Sequence, residues 1–423
     1  MRYVRLFSII MLIFLAGCQS RPAPEIPEAP PPEVKPLPLV IDPTAANSMQ
    51  AVSWSEIAAP VFADGNLRTW ADALAQSAIY YKRIPADRVV QFGPYAVTVA
   101  RMHQACLELE ALVRQGDPAK LQQVLQERYQ LYRSVGNAKG NVLVTGYYEP
   151  LLRGSMTRSK RYFYPIYRRP PDLVDAKGAG IHRVEKGKSV KYYTRDQIDG
   201  GFLTKPQAKK TTGSLANRGL ELVWVDNPID AFFLHIQGSG RVLLDNGRMM
   251  RIGFDGTNGR TYVAIGQILI SEGKIPHEEM TMPRLRQWLV DNPKEQKRLF
   301  FSNPSYVFFR EIKTDSVGNI NVPLTKDRSI ATDHRLFPKG APGLLTTTLP
   351  IFAPDGKAVS SWRPETRFVV NQDTGGAIRG AGRVDLFFGF GDHVEYEAGV
   401  MKQNRSRLYF IAPRTDLPQS GAR

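Results

Sequence analysis

Cysteine is almost missing from this chain. Only Cys18 and Cys106 occur in 423 residues, and Cys18 closes an apolar leader, so Cys106 is the one thiol left to a folded region. An intrachain disulfide is therefore excluded. Within "RMHQACLEL", Cys106 reads as a small buried apolar residue. Histidine is also scarce. Its six copies are scattered, and "HEEMT" at His277–Thr281 has no second His four residues on, so no zincin helix forms. "KGKS" at Lys186–Ser189 has His182 where a phosphate-binding loop needs its opening glycine. "QGSGR" around Ser239 does not carry a nucleophile elbow, and its glycines suit a tight turn or close approach of a ligand. Acid is short as well: 40 Asp and Glu stand against 56 Lys and Arg. The apolar run from Leu6 to Leu15 has ten residues, where about 20 are needed to span a bilayer. No internal repeat of the length that marks a solenoid or propeller is visible.

What is present begins with that leader. Arg2 and Arg5 precede the apolar run, which reads as a secretory signal. The following "LAGC" resembles a bacterial lipobox, which implies removal of residues 1–17 and lipidation of Cys18, two or more acyl chains making a stable anchor. Gln19 follows, where Asp would resemble an inner-membrane retention signal. The expected location is therefore the periplasmic face of the outer membrane. Residues 18–50 contain "RPAPEIPEAPPPEVKPLP", with eight prolines, a tether able to reach about 50 Å at about 3.1 Å per residue. Removing Arg2 and Arg5 from the formal +16 leaves about +14. A periplasmic compartment rules against nucleic acid as a partner, and the charge then favours an extended acidic polymer such as peptidoglycan, whose peptides carry free carboxylates.

The rest is long enough for two domains. From Trp54 to about Val135 the apolar spacing is helical, in "LRTWADALAQSAIYYKRI" and "AKLQQVLQERYQLYRSV". After Gly140 the pattern changes to strands broken by Pro and Gly: "NVLVTGYYEP", "RYFYPIYRRP", a strand-rich block over "ELVWVDNPIDAFFLHIQGSGRVLL", and "RMMRIGFDGT". "YVAIGQILISEG" and "MPRLRQWLVDN" predict two helices, the first ending at Gly273, and "SYVFFREI" a strand. From Ile320 short strands alternate with turns. The fold class expected is mainly β with N-terminal helices.

Two chemistries compete near the C-terminal end, in "NQDTGGAIRGAGRVDLFFGFGD". Asp373-Thr374-Gly375 matches the aspartic-protease tripeptide, but only one copy occurs, so a homodimer would be required, and Asn371 and Gln372 are polar where a protease strand is apolar. Sugar chemistry needs instead a carboxyl that stays protonated near neutral pH. Asp385 lies between Val384 and Leu386. On a strand it faces away from both, and an Asp in an apolar strand is costly to bury without a purpose. Asp373, before Gly-Gly, is expected in a more polar, solvated position; Asp392 reads as a turn residue.

Several segments together resemble the membrane-bound lytic murein transglycosylase A family: "TGYYEP" (Thr145–Pro150), "YYTRDQID" (Tyr192–Asp199), "DAFFLHIQGSGRV" (Asp230–Val242), "GFDGTNGR" (Gly253–Arg260), "NPSYVFF" (Asn303–Phe309), "TDHRLFPKGAP" (Thr332–Pro342) and "DTGGAIRGAGRVDLFFG" (Asp373–Gly389). Gln197 departs from the acidic residue of many relatives. The resemblance implies a double-psi β-barrel domain, formed by residues 51–150 and 320–415, with a second β-rich domain, 151–319, inserted into it. Its C-terminal section resembles the three-aspartate (3D) domain, mapping onto Asp333, Asp373 and Asp385, with Asp385 the catalytic acid. The implied reaction cleaves the β-1,4 bond between N-acetylmuramic acid and N-acetylglucosamine without water, leaving a 1,6-anhydro end. One carboxyl serves as acid and then base because the nucleophile, the C6 hydroxyl, belongs to the substrate. Asp373 and Asp333 are expected to orient loops and tune Asp385. Candidate glycan contacts are Tyr147, Tyr148, Glu149, Gln237, Ser239, Asp255 and Asn258; one of the two tyrosines should face the core, and Asp255 and Asn258 equally suit turns. No metal or cofactor is required. The chain suggests no motif for a wall-synthesis complex. A non-catalytic wall-binding lipoprotein would use the same groove but tolerate loss of Asp385.

Overall fold

Capping residues set the first helices. In the computed structural model, which describes residues 44–57, 67–176, 180–204, 213–313, 315–391 and 393–414, strand β1 (Met49–Val52) is followed by helix α1 (Leu67–Lys82), a hairpin of β2 (Val89–Phe92) and β3 (Tyr95–Thr98), and helices α2 (Val99–Gln115) and α3 (Pro118–Arg128). The Thr98 hydroxyl accepts from Arg101 N at the start of α2, and Gly116 in the left-handed region stops it. Asp117 and Pro118 then open α3, the expected cap pairing. The sequence spacing carries helix to Val135, but the chain turns to strand at Tyr129. There β4 (Tyr129–Ser134) pairs with β1 and with the last strand of the chain. Cys106 is buried on α2, as expected. The leader, Cys18, the tether and Asp392 lie outside the described residues.

After β5 (Val142–Tyr147) the chain leaves this sheet for a long excursion. It comprises β6 (Leu151–Ser155), β7 (Tyr164–Tyr167), β8 (Val174–Ala176), β9 (Gly180–Glu185), β10 (Lys188–Lys191), α4 (Arg195–Thr204), β11 (Glu221–Val225), α5 (Pro228–Gln237), β12 (Ser239–Leu244), β13 (Met249–Thr257), α6 (Ile265–Ser271), α7 (Met282–Asp291), α8 (Pro293–Ser302) and β14 (Val307–Ile312). These build a six-stranded sheet in the order β14-β13-β12-β6-β11-β7 and a small sheet of β8, β9 and β10. One segment of the expected strand-rich block is corrected. "PIDAFFLHIQ" is helix α5, capped by the Asn227 side chain, started by Pro228 and stopped by Gly238 at φ 79°.

The chain then returns with β15 (Ser329–Ala331), β16 (Pro342–Phe352), β17 (Val359–Asp373), β18 (Arg383–Phe387), α9 (Val394–Gly399) and β19 (Lys402–Pro413). Going round, β19, β16, β17, β15, β18 and β5 follow one another, and β5 pairs back to β19, so six strands close a barrel. Strands from both ends of the sequence meet in it: β18 runs parallel to β5, and β15 parallel to β17. Closure leaves these six strands without an open edge over the paired segments. Helix α1 packs on β17, stacking Trp70 against Phe368 with ring centroids 4.1 Å apart. Both rings are fully buried, and Trp70→Ala should cost about 3–5 kcal/mol.

Candidate active site

Alternation along β18 places the acid. Val384 and Leu386 are fully buried in the main core, while Asp385 between them retains partial exposure on the other face. That face continues onto the neighbouring strands. Asp385 lies opposite Thr145 of β5 and Ala331 of β15, and Phe387 opposite Tyr147. Tyr147, Leu324, Ala331 and Phe387 form a small apolar cluster there, with the Tyr147 and Phe387 rings 5.1 Å apart. The Thr145 hydroxyl donates to Asp385 Oδ1 at 2.8 Å. Burial pushes the Asp385 carboxyl up to about 6, against the pull of the Thr145 hydrogen bond and the Arg383 guanidinium and with added push from Asp373. Between Thr145 and Tyr147 only glycine fits: a Cβ on Gly146 would lie 2.7 Å from Ala398 Cα and 2.8 Å from the Phe388 ring. Helix α9 can thus close directly over β5.

The other two aspartates differ from Asp385 and from each other. Asp373, at the end of β17, accepts from Tyr147 Oη at 3.0 Å and from the backbone N–H groups of Asn319 and Thr374, each at 2.9 Å. It is not the solvated residue expected from "DTGG". Burial still raises its carboxyl above the ordinary value, despite those donors and the nearby Lys339. Its partners are donors from its own chain, with no second aspartate sharing a proton by hydrogen bond. Asp333 is completely buried and takes both arms of the Arg335 guanidinium, at 3.0 and 2.7 Å, along with the Gly380 N–H at 2.9 Å. Burial alone would raise its carboxyl, but Arg335 and the Gly380 N–H outweigh it and hold it well below the usual range. Asp333 therefore stays ionised and ties the turn before β18 to the loop after β15. Lys339 reinforces that loop: its Nζ donates to Asn371 Oδ1 at 3.0 Å and to the Asp373 carbonyl, and burial pushes it down to about 7 against the opposing pull of Asp373 and Asp333.

A second group of the expected residues gathers where β5 runs into the six-stranded sheet. Both tyrosines, not one, are buried: Tyr147 sits in the small cluster and Tyr148 in the main core. The Tyr148 N–H donates to Gln237 Oε1 at 3.1 Å. Glu149 is buried with both oxygens engaged, one by Arg241 at 2.9 Å and one by the Ser316 hydroxyl at 2.5 Å. Ser316 also reaches Ser239 at 2.8 Å, and Arg241 lies 4.1 Å over the Phe390 ring. Glu149, Gln237 and Ser239 thus stitch the two sheets together. Asn258 is fully buried, its Nδ2 donating to the Tyr193 and Pro304 carbonyls at 2.8 Å each and its Oδ1 accepting from Tyr306 N. It is a loop-tying residue. Asp255 is half-buried beside the exposed Phe254, its nearest cation Arg310 at 3.9 Å. Gln197 accepts from Thr194 N at the start of α4. Sequence reading passed over Thr145, Arg383 and Lys339. Thr145 opens the TGYYEP segment, but its importance comes from register between strands 240 residues apart, which no local pattern carries.

A closed six-stranded barrel that holds a shielded carboxyl of raised pKa beside a hydroxyl suits general acid–base chemistry. Comparison with known proteins narrows the class. A family model described as the MltA specific insert domain matches residues 143–310, and one described as the 3D domain matches 328–411. The chain is 31% identical over 296 residues to a membrane-bound lytic murein transglycosylase A from Vibrio cholerae, covering 69% of this chain and 71% of that protein. Among solved structures, a membrane-bound lytic murein transglycosylase from Agrobacterium tumefaciens aligns with TM-score 0.70 and 27% identity, covering 87% of this chain and 98% of the other. The lytic transglycosylase LtgG of Burkholderia pseudomallei aligns with TM-score 0.51 and 34% identity, covering 88% and 97%. The chain belongs to the membrane-bound lytic murein transglycosylase A family.

Proposed function

We propose that the protein is a lytic transglycosylase of peptidoglycan that cleaves the β-1,4 bond between N-acetylmuramic acid and N-acetylglucosamine and leaves a 1,6-anhydromuramic end. The observation that carries this reading is Asp385: a partly accessible carboxyl on an otherwise buried strand, held near 6 by burial, in a chain of this family. Near neutral pH such a group is available in both protonation states, the condition for general acid–base work. Its proton passes to the glycosidic oxygen as the C1–O bond breaks. The carboxylate then takes the proton of the C6 hydroxyl as that oxygen bonds to C1. No proton is gained or lost overall, and no water enters. The ring oxygen shares the positive charge of the transition state, which the new Asp385 carboxylate stabilises. Asp373 and Asp333 support: burial raises Asp385 and the negative charge of Asp373 adds to it, and Asp333 fixes the Gly380 turn.

In this reading residues 51–150 and 320–415 are the two sections of a double-psi barrel domain, and 151–319 is a domain inserted between them. The glycan strand lies along the face of Asp385, with Tyr147, Tyr148, Glu149, Gln237 and Ser239 shaping the groove from behind and Asp255 at its margin. Lipid on Cys18 and the Pro-rich tether hold the enzyme to the outer membrane on its periplasmic side. Among the described residues no helix is long and apolar enough to cross a membrane. The experiment is digestion of purified peptidoglycan by protein lacking residues 1–20, wild type beside Asp385→Ala. Anhydro-muropeptides from wild type alone support the reading. Reducing-end muramic acid would make the enzyme a hydrolase, and wall binding without cleavage in either sample would make it an anchor.

A further inference from the structure

We infer that Thr145 is the positioning residue of Asp385, its hydroxyl fixing the transferable proton on Oδ2. The inference rests on the reading of Asp385 as acid and then base. The parallel register of β5 and β18 sets Thr145 directly opposite Asp385, and Oγ1 lies 2.8 Å from Oδ1. Arg383, two residues before Asp385 on the same strand, donates from Nη2 to that same Oγ1 at 3.4 Å. Arginine can only donate, so it occupies a lone pair of the hydroxyl and leaves its O–H to point at the carboxyl. An Oδ1 that accepts from Thr145 is the unprotonated oxygen of the acid, and the proton sits on Oδ2. Threonine suits the task because its β-branched side chain is stiff at χ1 on a strand, so little freedom is lost in aiming it. The same bond stabilises the carboxylate formed after the first transfer, and so keeps the protonated carboxyl acidic enough to give up its proton.

The other groups facing Asp385 are few. Arg383 comes from its own strand, Tyr147 from β5 and Asp373 from β17, while β15 presents Ala331 and β19 places Lys402 opposite Thr145. Of these, Thr145 and Arg383 favour the carboxylate and Asp373 opposes it.

The test titrates the Asp385 carboxyl by carbon-13 NMR and measures the pH–rate profile for anhydro-end formation in wild type, Thr145→Val, Thr145→Ser and Arg383→Met. Losing a hydrogen bond to the charged form raises a carboxyl pKa. Thr145→Val should therefore move the Asp385 titration and the descending limb of the profile upward together by about one pH unit. It should lower kcat roughly tenfold with KM unchanged. Thr145→Ser, which keeps the donor, should restore both, and Arg383→Met should shift the titration upward by less. The inference is overturned if Thr145→Val leaves the titration at its wild-type position or if Thr145→Ser is no better than Thr145→Val. It is also overturned if Arg383→Met moves the titration downward. Melting curves check folding, and Arg383→Met with Thr145→Ser carries the decision if Thr145→Val does not fold. A wild type that makes no anhydro ends would sink the acid–base reading itself, while the carboxyl titration would still decide the place of Thr145.

Discussion

Asp385 on the barrel and Asp199 on α4 are both carboxyls that burial pushes up to about 6, yet their surroundings differ in kind. Asp199 lies one helical turn after Arg195, whose Nη1 is 3.5 Å away. Arg195 is itself buried and fully occupied: it donates to the Asn303 carbonyl at 3.2 Å and the Ser305 carbonyl at 2.7 Å, and it lies 5.0 Å from each of the Phe232 and Tyr306 rings. His235 beside them accepts from Val307 N, and burial drives its ring well below the ordinary value, so it stays neutral. The cavity these groups line has about 20 Å³, room for about one water molecule. Asp385 has a neutral hydroxyl for its hydrogen-bond partner, where Asp199 has a cation, and both carboxyls are half-buried. A raised carboxyl pKa marks shielding; whether it marks chemistry depends on what can reach the free oxygen.

Paired alanine variants break the two apart most sharply. Asp385→Ala should lower the rate of anhydro-end formation by roughly 10²–10⁴-fold and leave the melting temperature no lower, because the lost carboxyl was disfavoured in the fold. Asp199→Ala should do the reverse. It strands a buried guanidinium, at a cost of about 3–5 kcal/mol, and should leave the rate per folded molecule unchanged. Urea unfolding and product analysis on the same samples read both. A fall in rate for Asp199→Ala without a fall in stability would show that the two carboxyls belong to one machine.

Next in size is the pH dependence of stability. Both carboxyls rise from 3.8 to about 6 on folding, so between those values the folded chain binds more protons than the unfolded chain. Stability then falls as pH rises through that window and levels off above about 6. Each group contributes about 3 kcal/mol to the fall. Asp333 acts oppositely, because Arg335 and Gly380 hold its pKa down: its contribution is present above the ordinary carboxyl value and is lost as pH drops below it. His235 opposes the fall as well, since its folded ring stays neutral where the unfolded ring gains a proton, so the carboxyl contribution is read as the difference in urea midpoints from pH 3 to 8 between wild type and Asp385→Ala. Asp385→Ala should make the stability change between pH 4 and 6 less negative by up to about 3 kcal/mol. An unchanged fall would mean that Asp385 is not shielded in solution.

The same contrast shows what was legible in the sequence. Asp385 could be read because strand alternation is local: two fully buried neighbours on one side imply the other side for the residue between them. Asp199 was passed over because its partner Arg195 lies on the helix that carries it, where an Asp four residues from an Arg looks like any surface pair. The apolar run of α5 read as part of a strand-rich block because Ile229, Phe232, Phe233, Leu234 and His235 are all buried. A helix covered on most sides has no polar face to reveal its period. Its caps, Asn227 with Pro228 and Gly238, were the better guide. At "YQLYRS" the helical spacing ran on, but the aromatic residues had partners in β1 and β19, a tertiary fact absent from the segment itself. Glu149 and Asn258 were expected at the glycan because polar residues between glycines and aromatics look available. Only the fold shows that their donors and acceptors are already used.

The smallest effect separates two hydroxyls only two residues apart on β5. Thr145 donates to Asp385, whereas Tyr147 donates to Asp373, so removing them should move the rate profile in opposite directions. In Tyr147→Phe, Asp373 loses one of its three donors and binds its proton more readily. Less negative charge then faces Asp385, and because that charge is one cause of its high value, Asp385 becomes slightly more acidic. The descending limb should shift to lower pH by less than about half a unit, with a stability loss of about 1 kcal/mol for the missing hydrogen bond. Measured beside Thr145→Val under identical conditions, a shift of the same sign would mean that Tyr147 acts on Asp385 directly and that Asp373 is a bystander.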